Sequence, residues 1–185
     1  MLNEIAEEAE DGMQKTIERT QAEYKRLRTG KATSALLDGI RVNAYGSLMP
    51  LNQLATVAVP EARLITIQPW DKTMMKEVEK AILASELGLT PSNDGSLIRL
   101  SVPQLTEERR RDLVRVVKKM AEESRVGLRS IRRESNDLLK VTEKSGDISV
   151  DQMHDGLSRV QELTDSYVKR IDALTEAKES EIMEI

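Results

Sequence analysis

Three long stretches of this chain repeat apolar residues every three or four positions, and this pattern constrains the fold more than any other feature. The first covers residues 3–29, the second covers 106–144, and the third runs from about residue 149 to the C-terminus. A period near 3.6 residues predicts amphipathic helices, each with one apolar face to bury. Because only a short break separates the second stretch from the third, we expect an antiparallel bundle of three helices.

The region between the first two helices has a different period. Apolar and polar residues alternate there in short runs, and all five prolines of the chain fall within this region. Alternation predicts β-strands, and helical spacing over 72–87 predicts one helix among them. We therefore predict an α+β protein, in which a long antiparallel three-helix bundle carries a small inserted β/α/β domain.

The insert interrupts the bundle, so the chain crosses between the two domains twice. We assign residues 1–30 and 105–185 to the bundle, and residues 31–104 to the insert. A glycine that follows a helical turn containing cations is typical of a helix end, which places the first crossing near Gly30. Two adjacent crossing strands predict a restricted hinge, made of Thr29, Gly30, Lys31, Pro103, Gln104, Leu105 and Thr106.

The second helical stretch concentrates positive charge. Residues 106–133 contain ten Lys or Arg and five Asp or Glu, a balance of +5 in a chain whose net charge is −4. At about 100° per residue, six of the cations fall within a sector of roughly 100°, opposite the apolar face. We call this set the basic stripe: Arg111, Arg115, Lys118, Arg125, Arg129 and Arg132.

An arginine-rich helix face is suited to phosphate, because each planar guanidinium can bind it through two parallel hydrogen bonds. A face that serves only solubility mixes both signs, whereas no acidic residue lies between Arg125 and Arg133. A competing interpretation is that the acidic third helix neutralises the basic stripe, since the chain from Asp147 onward has ten Asp or Glu against four Lys or Arg. Because the stripe points away from the apolar face, we expect most of it to stay free.

The aromatic content narrows the mode of nucleic-acid binding. Proteins that read single strands stack bases on exposed aromatic rings. This chain has one Trp and three Tyr, and Tyr24 and Tyr167 lie on apolar helix faces. We therefore expect recognition of the backbone and shape of a large structured RNA rather than of its bases.

Little in the sequence indicates catalysis. The chain has no Cys and one His, His154, which we interpret as a solvated helix residue. We expect no catalytic residue, no metal site and no cofactor. No stretch approaches the roughly 18 apolar residues of a membrane span, and the acidic N-terminus is unlike a signal peptide. We expect a cytoplasmic monomer without membrane contact.

Nine short stretches, in order and at fitting spacings, resemble the bacterial ribosome recycling factors essentially from end to end. Any one of them is a weak signal, but nine together are specific. They are residues 27–32 (LRTGKA), 36–40 (LLDGI), 45–46 (YG), 50–55 (PLNQLA), 79–82 (EKAI), 84–89 (ASELGL), 105–110 (LTEERR), 131–134 (IRRE) and 161–165 (QELTD).

The resemblance implies an L-shaped protein of transfer-RNA-like dimensions. Such a factor is not an enzyme, and it binds the post-termination ribosome across the A and P sites of the large subunit. With elongation factor G and GTP it splits the ribosome into subunits, which frees it for a new round of translation. The bundle would lie against ribosomal RNA, and the small domain would face the elongation factor.

The resemblance also assigns RNA contact to four arginines, of which we expect Arg132 to matter most. The charged segment adds two more. The predicted RNA contacts are Arg28, Arg110, Arg129 and Arg132 from the family, with Arg125 and Arg133 from the charge pattern. The main alternative is a coiled-coil-like RNA- or protein-binding module without a recycling role. An enzyme is a more distant alternative, which a buried pocket with converging carboxylates would support.

Overall fold

The computed structural model describes residues 2–184, which form two compact units. The bundle unit comprises the residues up to Leu27 and those from Glu107 onward, and the insert unit is Arg28–Thr106. The bundle unit contains three long helices, while the insert unit contains the strands and one short helix. The predicted α+β class is confirmed.

Four α-helices account for most of residues 2–184. They are α1 (Leu2–Arg26), α2 (Met75–Ala84), α3 (Glu107–Lys144) and α4 (Val150–Met183). At 1.5 Å per residue, the 38 residues of α3 extend over about 57 Å. The N-terminus of α4 is closed by a capping box, in which Ser149 accepts a hydrogen bond from the Gln152 N–H and Gln152 accepts one from the Ser149 N–H.

The helices of the bundle unit are joined by contacts that also give their directions. The hydroxyls of Thr20 and Ser124 are 2.7 Å apart, and those of Tyr24 and Thr175 are 2.9 Å apart. Nearer the N-terminus, the side chain of Asn3 accepts a hydrogen bond from Arg159 at 2.9 Å. Contacts between α1 and α4 therefore advance together along both helices, which makes these two parallel. Contacts between α3 and α4 run in opposite directions along the two helices, which makes α3 antiparallel to α4.

The core of the bundle unit is aliphatic, with hydroxyl groups set among the methyls. Met13, Ile17, Leu128 and Ile171 are almost completely buried in one cluster, and the apolar faces predicted from the sequence supply them. Buried Ser and Thr hydroxyls donate to the carbonyl four residues earlier, as Thr164 does to Val160 O at 2.7 Å. These bonds satisfy polar groups that would otherwise be costly to bury.

The insert unit holds six strands in two antiparallel sheets. They are β1 (Arg41–Ala44), β2 (Ser47–Pro50), β3 (Ala55–Glu61), β4 (Leu64–Pro69), β5 (Pro91–Asn93) and β6 (Ile98–Ser101). β1 and β2 form a hairpin, and the larger sheet has the order β3-β4-β6-β5. Ile65, Ile67, Ile98 and Leu100 are fully buried and pack with Val78 and Ile82 of α2 into one core.

Three local features differ from the sequence prediction. The alternation predicts strands near residues 40–44, 57–59, 63–68 and 98–102, and no strand at the positions of β2 and β5. The helical spacing over 72–87 proves to be a 3₁₀ turn, Lys72–Met74, followed by α2, which ends at Ala84 because Ser85 adopts an extended conformation. Helix α1 ends at Arg26 rather than at residue 29.

Candidate nucleic-acid interface

The basic stripe lies on one flank of α3, next to α4. The side of the helix that faces the bundle core carries the buried residues Leu113, Val117, Ala121 and Leu128, and it is centred about 100° around the helix from the stripe. An amphipathic helix with a period of 3.6 residues separates these two sides along its whole length. The stripe is therefore a continuous feature of the bundle surface, as the spacing predicted.

Most of the stripe is paired with carboxylates within the protein. The pairs inside α3 join Arg111 to Glu107, Arg115 to Asp112 at 3.2 Å, and Arg129 to Glu122 at 3.1 Å; the pairs to α4 join Arg125 to Asp172 at 2.7 Å and Lys118 to Glu179 at 4.0 Å. The expectation that most of the stripe stays free is wrong. The competing interpretation, neutralisation by the acidic third helix, holds for Lys118 and Arg125.

Glu122 joins two arginines of the stripe into one cluster. It accepts hydrogen bonds from Arg125 and from Arg129, both at 3.1 Å, and these bonds lower the pKa of its carboxyl. Arg125 also donates twice to one carboxylate oxygen of Asp172, at 2.7 and 3.0 Å. The bond to Asp172 is the largest cause of the raised pKa of Arg125. The guanidinium of Arg125 is thus held in place from two helices.

The arginines of this region differ in how much of each side chain is exposed to solvent. The Arg125 side chain is 25% exposed, whereas that of Arg129 is 50% exposed and that of Arg115 is 80% exposed. Exposed ion pairs contribute only about 0.2–1 kcal/mol each, so a phosphate can replace the carboxylate at little cost. Arg129 and Arg115 therefore remain available to an anionic partner, while Arg125 is largely engaged inside the bundle unit.

Arg132 differs from the rest of the stripe in its partner. Its guanidinium donates to the side-chain oxygen of Gln161 on α4 at 3.2 Å, a neutral amide that orients the group without cancelling its charge. The adjacent Arg133 is exposed, and Arg110 is half-buried near the start of α3. Three partners of these arginines, Glu122, Gln161 and Asp172, were not predicted from the sequence. Glu122 lies three residues before Arg125 and could have been found from helix spacing, whereas Gln161 and Asp172 lie on α4 and have no local signal.

The remaining predicted contact, Arg28, lies in the insert unit. Its guanidinium donates to the carbonyl oxygens of Glu86 at 3.1 Å and of Leu87 at 3.4 Å. All seven predicted hinge residues also lie in the insert unit: Thr29 and Gly30 are buried, Leu105 is half-buried, and Lys31, Pro103, Gln104 and Thr106 are exposed.

Aromatic rings are absent from the exposed surface of the bundle unit among residues 2–27 and 107–184. Tyr24 and Tyr167 are buried, as predicted, whereas Tyr45 and Trp70 are exposed in the insert unit. The basic stripe therefore offers charge and hydrogen-bond donors but no surface for stacking bases. His154 is exposed on α4, and the described residues contain no cluster of three or more His, Cys, Asp or Glu that could hold a metal ion.

The fold and this surface define an α+β protein built on a three-helix bundle with one basic helix flank. No helix within residues 2–184 has the combination of length and apolar content that a membrane crossing requires. A family model described as ribosome recycling factor matches residues 20–183 of the chain. The chain therefore belongs to the ribosome recycling factor family, which connects it with translation and ribosome binding.

Full-length relatives agree with this assignment. The chain is 53% identical to the ribosome-recycling factor of Pelotomaculum thermopropionicum and 54% identical to that of Desulfosudis oleivorans, and both alignments cover all of both chains. The solution structure of a ribosome recycling factor superposes with a TM-score of 0.79 at 45% identity, covering 100% of this chain and 98% of that one.

A second solved structure shows a relative with a partner. It contains models for the T. thermophilus ribosome recycling factor and the E. coli elongation factor G bound to the E. coli post-termination complex. The likeness has a TM-score of 0.66 at 44% identity and covers 98% of each chain.

Proposed function

We propose that this protein recycles ribosomes after termination: together with elongation factor G and GTP, it separates the post-termination ribosome into its subunits. The observation that carries the proposal is identity above 50% to ribosome-recycling factors over the full length of both chains. The relative on a post-termination complex with elongation factor G supports the choice of partner. A factor with this task would act in the cytoplasm.

In this proposal the protein is not an enzyme, and it acts by binding one state of the ribosome better than another. A ligand shifts an equilibrium only by the difference between its affinities for the two states. The bound factor would therefore fit the separated large subunit better than the joined ribosome. Hydrolysis of GTP by the elongation factor would supply the free energy.

The basic stripe and its neighbours would hold the factor on ribosomal RNA through phosphate contacts. Among the predicted contacts, Arg132 combines a fixed orientation with a neutral partner, and Arg129 and Arg133 are exposed. Arg125 would act mainly by fixing Glu122, and with it Arg129, on the surface. Arg110 completes the set near the start of α3.

Light scattering of post-termination ribosomes tests the proposal directly. We expect scattering to fall when elongation factor G, GTP and this protein are all present, because separated subunits scatter less than joined ribosomes. Without this protein the signal should stay constant. If a cognate elongation factor gives no fall although the protein binds ribosomes, the alternative of an RNA- or protein-binding module without a recycling role is favoured.

The substitution Arg132→Ala tests the RNA contact in the same system. We expect weaker binding to the large subunit at unchanged helicity, since truncation removes a charge-assisted bond to phosphate on the surface. Lys119→Ala is a matched control, because Lys119 is an exposed cation on the same helix that lies outside the stripe, about 40° beyond its edge at Arg115. Equal affinities for Arg132→Ala and the wild type would rule out the proposed RNA surface.

A further inference from the structure

Segment 28–31, the first crossing of the chain, is attached to the insert unit at several points. Arg28 donates to Glu86 O and Leu87 O, and the N–H of Ala32 donates to Ala62 O at 2.8 Å. These bonds reach two different parts of the insert unit, the end of α2 and the turn between β3 and β4. The segment therefore has little freedom to move independently of that unit.

Gly30 adds a close contact between the two crossing segments. Its backbone has a φ of 77°, in the left-handed region, and a Cβ atom placed there would lie 2.9 Å from Leu105 Cγ. Only glycine fits this combination of backbone conformation and proximity. The return segment is anchored as well, because the N–H of Val102 donates to Arg63 O at 2.8 Å.

The carbonyls that Arg28 binds lie just beyond the C-terminus of α2. The last carbonyls of a helix and of the turn after it have no partner within the helix, and they carry a partial negative charge. A guanidinium presents a planar fork of N–H donors that can reach two neighbouring oxygens at once. The side chain of Arg28 thus joins segment 28–31 to residues 86–87 in a way that the single ammonium of a lysine cannot reproduce.

We infer that Arg28 is a positioning residue, which fixes the first crossing segment to the insert unit, rather than a contact to RNA phosphate. Segment 28–31 then moves as part of the insert unit. The consequence for subunit splitting rests on the function proposed above, whereas the placement of the segment does not. This role differs from the one that the family resemblance implies for Arg28.

Hydrogen–deuterium exchange of the full chain tests the placement without ribosomes. We expect Arg28→Gln to accelerate exchange in segments 29–31 and 86–89 by about fivefold to tenfold, as loss of a local restraint does. Arg28→Lys should behave in the same way, because it retains the charge but not the fork. Arg26→Gln is the matched control, since Arg26 is an exposed cation in the last turn of α1. Wild-type exchange in Arg28→Gln would overturn the inference.

Binding to isolated large subunits separates positioning from phosphate contact. We expect both Arg28 variants to bind within about twofold of Arg26→Gln, because in this inference Arg28 makes no phosphate contact that either substitution could remove. A large loss of affinity in Arg28→Gln that Arg28→Lys restores would identify a phosphate contact and overturn the inference.

The light-scattering assay then gives the functional consequence. With elongation factor G and GTP, both Arg28 variants should split ribosomes more slowly than Arg26→Gln at saturating concentration. If the wild-type protein fails to split ribosomes, the proposed function is wrong, and the exchange and binding results still decide the role of Arg28. If both variants split ribosomes at the control rate, the attachment of segment 28–31 to the insert unit has no part in subunit splitting, which would overturn this consequence.

Discussion

At the scale of single residues, Glu122 holds two of the arginines to which the proposed function assigns RNA contact, and there it would compete with phosphate for them. It accepts hydrogen bonds from Arg125 and Arg129, and its pKa is lowered because these bonds stabilise the ionised carboxylate. A phosphate that approaches Arg129 must displace this carboxylate or share the guanidinium with it. Glu122 therefore weakens the RNA contacts in the proposed function while it keeps the arginine side chains in place.

We predict that Glu122→Gln tightens binding to the large subunit by about twofold to fivefold at low salt, which is the size of a typical exposed ion pair. The substitution removes one negative charge next to Arg129 and keeps the side-chain shape. Equilibrium binding to isolated large subunits measures the effect, and Glu123→Gln, an exposed neighbour on the same helix, is the control. Weaker binding in Glu122→Gln would show that Glu122 favours binding by orienting Arg129 more than it opposes binding by competing with phosphate.

The sequence predicted which side of α3 carries the arginines, but not their partners. Helix period alone orders residues around one helix, so the position of Arg129 opposite Leu113 follows from counting. The pairing of Arg125 with Asp172 spans 47 positions and depends on the register of α3 against α4, which packing of the whole bundle sets. That register has no local signal, so the two pairs to α4 could not be predicted, whereas the pairs within α3 follow from helix spacing and the expectation of a free stripe left them out.

At the scale of elements, the long helices were predictable because each repeats its apolar pattern over many turns. Strands β2 and β5 were not, since both are short and neither alternates buried with exposed residues. In β2 no residue is buried, so its place depends on pairing with β1 rather than on an apolar face of its own. Such a strand can be predicted only once the strand that pairs with it is known.

Two glycines within the long helices offer a test of packing at this scale. A Cβ atom at Gly127 would lie 3.8 Å from Thr16 Cγ2, an ordinary contact, whereas one at Gly156 would lie 2.8 Å from Leu139 Cδ2. Leu139 is 1% exposed and has little room to move. We predict that Gly127→Ala raises the free energy of unfolding by about 0.5–1 kcal/mol, through helix propensity.

The matched variant Gly156→Ala should gain no stability, because the clash with Leu139 offsets or exceeds the same propensity gain. Urea unfolding followed by circular dichroism at 222 nm, which reports mainly the helices, measures both variants. Equal stabilisation by the two substitutions would show that Leu139 moves aside freely and that its contact with Gly156 does not limit packing.

At the scale of the whole molecule, charge is distributed unevenly between the two units. The chain has a net charge of −4, yet residues 28–106 carry eight Lys or Arg against seven Asp or Glu. The bundle unit therefore holds the excess of acidic residues, and it also holds the basic stripe. An acidic protein can bind RNA only through such a local concentration of cations, because its net charge repels the polyanion at long range.

This distribution predicts a binding reaction that is sensitive to salt although the protein is acidic. Each phosphate that a cation neutralises releases counterions and contributes about 0.7–0.9 to the slope of log affinity against log salt. With about four to six contacts from the stripe region, we expect a slope of about −3 to −5 for the large subunit. Arg132→Ala should make the slope shallower by the contribution of about one phosphate contact, and Lys119→Ala should leave the slope unchanged. A flat dependence in the wild type would show that the protein holds the ribosome through protein contacts, with the stripe serving the bundle alone.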